Sequence, residues 1–140
     1  MADGAILPEP NLPESERWKT SQGKNYYPYV RILGGVSLFD FDNFDADSYS
    51  GKFSRSSWYE FVPWRDDWGS SVWIEIQREH VQPATFISGQ NLLAKWKAEE
   101  DHNHTIMPYI EAAFLGALPV RAFGRAFLAS AKGQTPLLLR

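Results

Sequence analysis

The chain has 140 residues, no Cys, 44% hydrophobic and 22% charged residues and a net charge of −3, which bounds it to a single domain with an ordinary core and no disulfide, thiolate-zinc or Cys-nucleophile chemistry. No run of Lys and Arg exists to neutralise a string of phosphates, so strong duplex binding is excluded. No apolar run near 18 residues and no basic start with an apolar h-region is visible, so neither a membrane span nor a secretory signal is expected, and a cytoplasmic setting is. Six Trp, six Tyr and nine Phe raise the aromatic share to 15%. Such rings bury large area and also offer stacking surfaces to planar ligands.

In chain order, residues 1–25 carry Pro8, Pro10 and Pro13 and read as an irregular N-terminal arm; residues 26–131 read as the globular domain and 132–140 as a loosely held tail. Tyr29–Leu33 and Val36–Phe41 are short β-rich runs split by Gly34-Gly35. The Asp-and-aromatic stretch Asp40–Lys52 contains Asp45-x-Asp47. It lacks the Gly and terminal Glu of a calcium loop, so a capped turn is expected. Ser54–Val62 fits a short helix capped by Ser54 or Ser56 and anchored by Trp58, Tyr59 and Phe61. Trp64–Gly69 is an aromatic, charged loop. Val72–Ile76 alternates as a strand, with Val72, Ile74 and Ile76 on one face and Trp73 and Glu75 on the other. Pro83–Ile87 is a connector, and Ser88 caps a helix to about Glu100 with Leu92, Leu93 and Trp96 on its apolar face. Ile106–Leu115 and Gly124–Ser130 are the closing strands. The expected core is Val72, Ile74, Ile76, Leu92, Leu93, Trp96, Ile110, Phe127 and Leu128. The fold class is α+β: a mostly antiparallel twisted sheet with two or three short helices.

Glu111 is the residue that stands out. It lies in an otherwise apolar strand, where an unpaired carboxylate costs several kcal/mol. It therefore faces a pocket, pairs with a cation such as Arg125, or lies on the wet face of a one-sided strand. Glu75 would join it as a carboxylate pair suited to glycosidic chemistry if their strands were neighbours. Glu99-Glu100-Asp101-His102-Asn103-His104 has metal-ligand residue types, but adjacent acids followed by two His also describe a solvated helix end, and no metal site is assigned. No glycine-rich phosphate loop, nucleophile elbow or zinc-protease helix is present.

Three segments together resemble a family. Gly35-Val36-Ser37-Leu38 with its Asp/Phe stretch, Val72-Trp73-Ile74-Glu75-Ile76 running to Phe86-Ile87-Ser88-Gly89-Gln90-Asn91, and Ile110-Glu111-Ala112-Ala113 with Leu118-Pro119-Val120-Arg121-Ala122-Phe123 and Arg125–Leu128 are similar to small bacterial ADP-ribosyltransferase-like proteins, including the toxin group that modifies DNA bases. The resemblance spans roughly residues 30–130 and implies an ADP-ribosyltransferase-like fold using NAD. It makes Glu111 the catalytic carboxylate that steadies a ribosyl oxocarbenium ion. It places Ser37 at the nicotinamide-side ribose, Arg31 on the diphosphate, and an aromatic from Trp58, Tyr59, Phe61, Trp64 or Trp68 on the nicotinamide ring. The acceptor (protein, nucleic acid or small molecule) is left open. The family's usual His or Arg on an early strand has no counterpart: no His precedes His80, and the Pro-rich arm stands there, as in a shortened member. The alternative reading is a non-catalytic binding module that uses the aromatic surface Trp58–Trp68.

Overall fold

The structure is a computed structural model and describes residues 4–9, 12, 13, 15, 28–42, 44–54, 58, 62–64, 66–101 and 104–139. Its strands are β1 (Ala5–Ile6), β2 (Gly35–Phe39), β3 (Ser70–Ile76), β4 (Phe86–Ile87), β5 (Glu111–Leu115), β6 (Leu118–Pro119), β7 (Phe123–Ser130) and β8 (Gly133–Leu137). Its α-helices are α1 (Tyr29–Ile32), α2 (Ala46–Lys52) and α3 (Gly89–Ala98). The strands form three antiparallel sheets, ordered β1-β6, β2-β5-β4 and β3-β7-β8. The class is α+β, as expected.

β5 is the centre of the molecule. Its run Glu-Ala-Ala-Phe-Leu is buried from Glu111 to Phe114, and side-chain alternation sends Glu111 and Ala113 to one face and Ala112 and Phe114 to the other. On the first face Ala113 joins Tyr29, Val30 and Leu92 in one core cluster, flanked by Leu33, Ile87, Trp96 and Ile106. That is the helical layer of α1 and α3. On the second face Phe114 joins Leu118 and Ala122, with Ile6, Val36, Leu38, Ile76, Val81 and Phe123 around them. There the second sheet and the β1-β6 ribbon close the structure.

Five expectations need correction. Tyr29–Leu33 is a helical turn, not a strand. Pro28 starts it, the Tyr29 N–H donates to the Thr105 carbonyl at 2.9 Å, and Gly34 at φ 68° ends it. Burial of Tyr29 and Val30 thus overrides their β propensity. The run Ile106–Leu115 becomes a strand only at Glu111; what precedes it is a turn. β3 does not keep a simple alternation: its register against β7 shifts between Ile74 and Ile76. Val72 is 58% exposed, whereas Trp73, half-buried, turns towards Phe39 and Phe41. Of the expected core, Leu92, Leu93 and Ile110 are buried, whereas Phe127 and Leu128 are half-buried. The tail expected to be loose forms β8, paired along its length to β7 although every residue of it is exposed.

Other readings hold. Ser88 caps α3 by accepting from the Asn91 N–H, and Asp45 is a cap that accepts the Ser48 N–H at 2.7 Å, although what it opens is the helix α2 and not the turn expected. Of the expected helix Ser54–Val62, residues 55–57 and 59–61 lie outside the described residues.

Candidate active site

Ser37 and Glu111 meet because their strands are neighbours. Ser37 pairs with Ala113 and Phe39 with Glu111 across β2 and β5, so Ser37, Phe39 and Glu111 share a face. The Ser37 hydroxyl donates to Glu111 Oε1 at 2.8 Å, and the Met107 N–H donates to Oε2 at 2.9 Å. Glu111 is only 8% exposed. Burial therefore pushes its carboxyl above the usual range, and the hydrogen bonds from Met107 and Ser37 oppose that shift. Among the described residues no cation pairs with it: Arg125 instead makes a two-pronged contact with Glu75 at 2.8 and 2.9 Å. The carboxylate pair of Glu75 and Glu111 is likewise not formed, since β3 and β5 belong to different sheets.

The backbone before Glu111 is held from three sides. The Glu111 N–H donates to the Met107 carbonyl at 3.0 Å, closing a turn over Pro108, Tyr109 and Ile110. Tyr109 inside it has φ 65°, a conformation that costs a non-glycine residue energy and that collects at functional sites. The Asp40 N–H donates to the Ile110 carbonyl at 2.7 Å. The Asp40 carboxylate, almost buried, accepts the Gly89 N–H and an Arg78 N–H, both at 3.1 Å. Gly89 itself lies against Tyr109 so closely that a Cβ there would sit 1.7 Å from the Tyr109 carbonyl oxygen. Only glycine permits this approach of α3 to the turn.

A series of aromatic rings runs from the cross-strand partner of Glu111 to the turn before it. Phe39, opposite Glu111, stacks on Phe41 at 5.3 Å with planes 10° apart. The series continues through Phe44 (5.3 Å), Tyr49 (5.5 Å) and Phe53 (5.0 Å) and returns at Tyr109 (5.5 Å), two residues before Glu111. Phe39 and Tyr109 are each 39% exposed, so both ends of this arc reach solvent. Lys52, at the end of α2, places its ammonium 5.2 Å from the Tyr109 ring centre and 5.7 Å from that of Phe53.

The other residues read from the sequence fall elsewhere. Arg31 is engaged by Glu9, with Nε 2.6 Å from one carboxylate oxygen and an Nη 3.4 Å from the other. Trp58 packs edge-on against Phe44 at 4.9 Å and Tyr49 at 6.3 Å, joining the arc from its side. Trp64 is half-buried in the segment leading to β3, and Tyr59 lies outside the described residues. His104 is 3.6 Å from Asp101, His102 lies outside the described residues, and among those described no three His, Cys, Asp or Glu gather as a metal site. Missed around Glu111 were its cross-strand position opposite Phe39 and the turn residue Tyr109, over whose ring Lys52 lies. Register makes Phe39 its partner and a turn brings Tyr109 back, neither of which residue type announces.

A cavity of about 550 Å³ opens over β7 and β8, lined by Glu75, Arg125, Phe127, Pro136 and Leu137–Leu139. It surrounds the exposed Glu75–Arg125 pair and does not include Glu111. No family model, no curated protein and no solved structure matches this chain. Among the described residues, no helix is long and apolar enough to cross a membrane.

Proposed function

We propose that the chain is an NAD-dependent mono-ADP-ribosyltransferase-like protein with Glu111 as its catalytic carboxylate and Ser37 as the hydroxyl that orients it. The observation that carries this reading is the 2.8 Å hydrogen bond from Ser37 to a buried carboxyl that has no cation among the described residues. Burial makes the charge on this carboxyl costly, and a positive charge arriving beside it offsets that cost. NAD brings such a charge twice, first on the nicotinamidium ring and then on the ribose. The bond between ribose C1′ and the ring nitrogen breaks, and its electron pair leaves with neutral nicotinamide. The resulting oxocarbenium ion is steadied by the Glu111 carboxylate until an acceptor lone pair closes on C1′ and the acceptor loses its proton to water or a base. Phe39 and Tyr109 are the rings best placed to receive the planar nicotinamide.

The test is NAD turnover by the wild type and E111Q. The substitution should lower turnover by a factor on the order of 10²–10³. A wild type that binds no NAD removes the reading. A second reading, a ligand-binding module without chemistry, is favoured by Trp68, which is 49% exposed in the loop before β3. NAD binding without turnover, unaffected by E111Q, would put that reading first.

A further inference from the structure

We propose that Lys52 is the phosphate-holding residue of the Glu111 site, so that the site takes a phosphorylated nucleotide rather than its nucleoside. This rests on the NAD reading and names a residue for the ligand's anionic part.

Four observations carry it. Among the described residues Lys52 makes no ion pair; its ammonium lies over the rings of Phe53 and Tyr109 instead. A cation held on ring faces keeps its hydrogens available to an anion and is steered by aromatic quadrupoles rather than neutralised. Tyr109, one of those rings, lies two residues before Glu111 inside the turn that the Glu111 N–H closes, so Lys52 sits beside that turn. Arg31, the other cation offered by the sequence for this job, is already bound by Glu9 through both prongs of its guanidinium. A ligand whose planar, positively charged ring enters between Phe39 and Tyr109 therefore carries its phosphate outwards to an ammonium. The division of charge is consistent: the buried end of the site offers a carboxyl to a cation, and the exposed rim offers a cation to an anion. Lysine serves here as a point charge on a flexible stem, which suits a phosphate at the surface.

The experiment titrates the full chain, K52A and K52R with nicotinamide mononucleotide and with nicotinamide riboside, which lacks the phosphate, following tryptophan fluorescence at low and at high salt. The expected result is that K52A weakens mononucleotide binding about fivefold at low salt, the upper end for an exposed ion pair. Riboside binding should be unchanged, K52R should restore the mononucleotide, and the difference should shrink at high salt. Equal weakening of both ligands by K52A would mean that Lys52 only supports the rings, and no weakening of either that it has no part; both overturn the proposal and leave the NAD reading standing. A wild type that binds neither these ligands nor NAD removes the NAD reading and this inference with it.

Discussion

Met107 and Glu111 hold each other twice: the Met107 N–H donates to the Glu111 carboxyl at 2.9 Å, and the Glu111 N–H donates to the Met107 carbonyl at 3.0 Å. The side chain and backbone of one residue thus close the same turn, so the geometry of the carboxyl is tied to that of the chain. E111Q can keep both contacts, its Oε1 accepting from Met107 and its Nε2 donating to Ser37. It should unfold at nearly the wild-type denaturant concentration. E111A leaves the Met107 N–H buried without an acceptor and should cost about 1–3 kcal/mol. Urea titrations of the two variants check this. Equal stability would mean that water reaches the turn.

The raised carboxyl of Glu111 predicts a pH dependence of fixed sign. A carboxyl harder to ionise when folded leaves the native state holding more protons than the unfolded chain. Its stabilising effect is complete below the ordinary carboxylate range and declines as pH rises through the folded value, then levels off. The stability of E111Q relative to wild type should accordingly increase with pH across that window. S37A removes a hydrogen bond that favours the charged form and should carry the window to higher pH. Chemical denaturation at a series of pH values reads both effects, and a relative stability that falls with pH would contradict them.

Gly89→Ala introduces a methyl 1.7 Å from a backbone oxygen that cannot swing aside. Either α3 or the Tyr109 turn must shift. We expect a loss of about 3 kcal/mol, the upper end for overpacking, together with reduced NAD turnover, because the turn carries Glu111. Gly51→Ala, within α2 where a Cβ meets nothing within 4 Å, is the control and should leave turnover unchanged and the melting temperature equal or slightly higher.

Removing residues from 133 onwards strips β8 from β7 and exposes the five residues of strand edge paired to it, Ala126–Ser130. The truncated chain should melt lower by about 5 °C and show concentration-dependent association, the usual fate of an unprotected edge. Scanning calorimetry and light scattering measure the two consequences. An unchanged melting curve would show that β8 adds nothing to the sheet.

What could be read from residues alone was uneven for physical reasons. The cap of α3 was legible because Ser88 acts on an N–H three residues away; at Asp45 the capping was legible for the same reason, but the helix it opens was not. Glu111 was legible as a misfit, a charge among apolar neighbours. Its surroundings were not. Ser37 is 74 residues distant and entered only through the family resemblance, while Phe39 and Tyr109 depend on a register and on a left-handed turn. Tyr29-Val30-Arg31-Ile32 has strand composition, yet it is helical because two of its side chains fill the space beside Ala113. The face of β3 was misread at Val72 because alternation says which residues share a face but not which face is covered, and Trp73 rather than Val72 meets Phe39 and Phe41.

The span of 74 residues between Ser37 and Glu111 has a consequence for when the site exists. The two strands that form it are brought together by one of the longer loop closures of the chain, and such contacts form late in folding. A ribosome releasing the protein from its N-terminus would have to deliver residue 115 before β5 could dock on β2. Until then Ser37 has no carboxyl to donate to, and the carboxyl is an ordinary, solvated one. Any chemistry the site performs is thereby confined to finished molecules, and a nascent or clipped chain is silent.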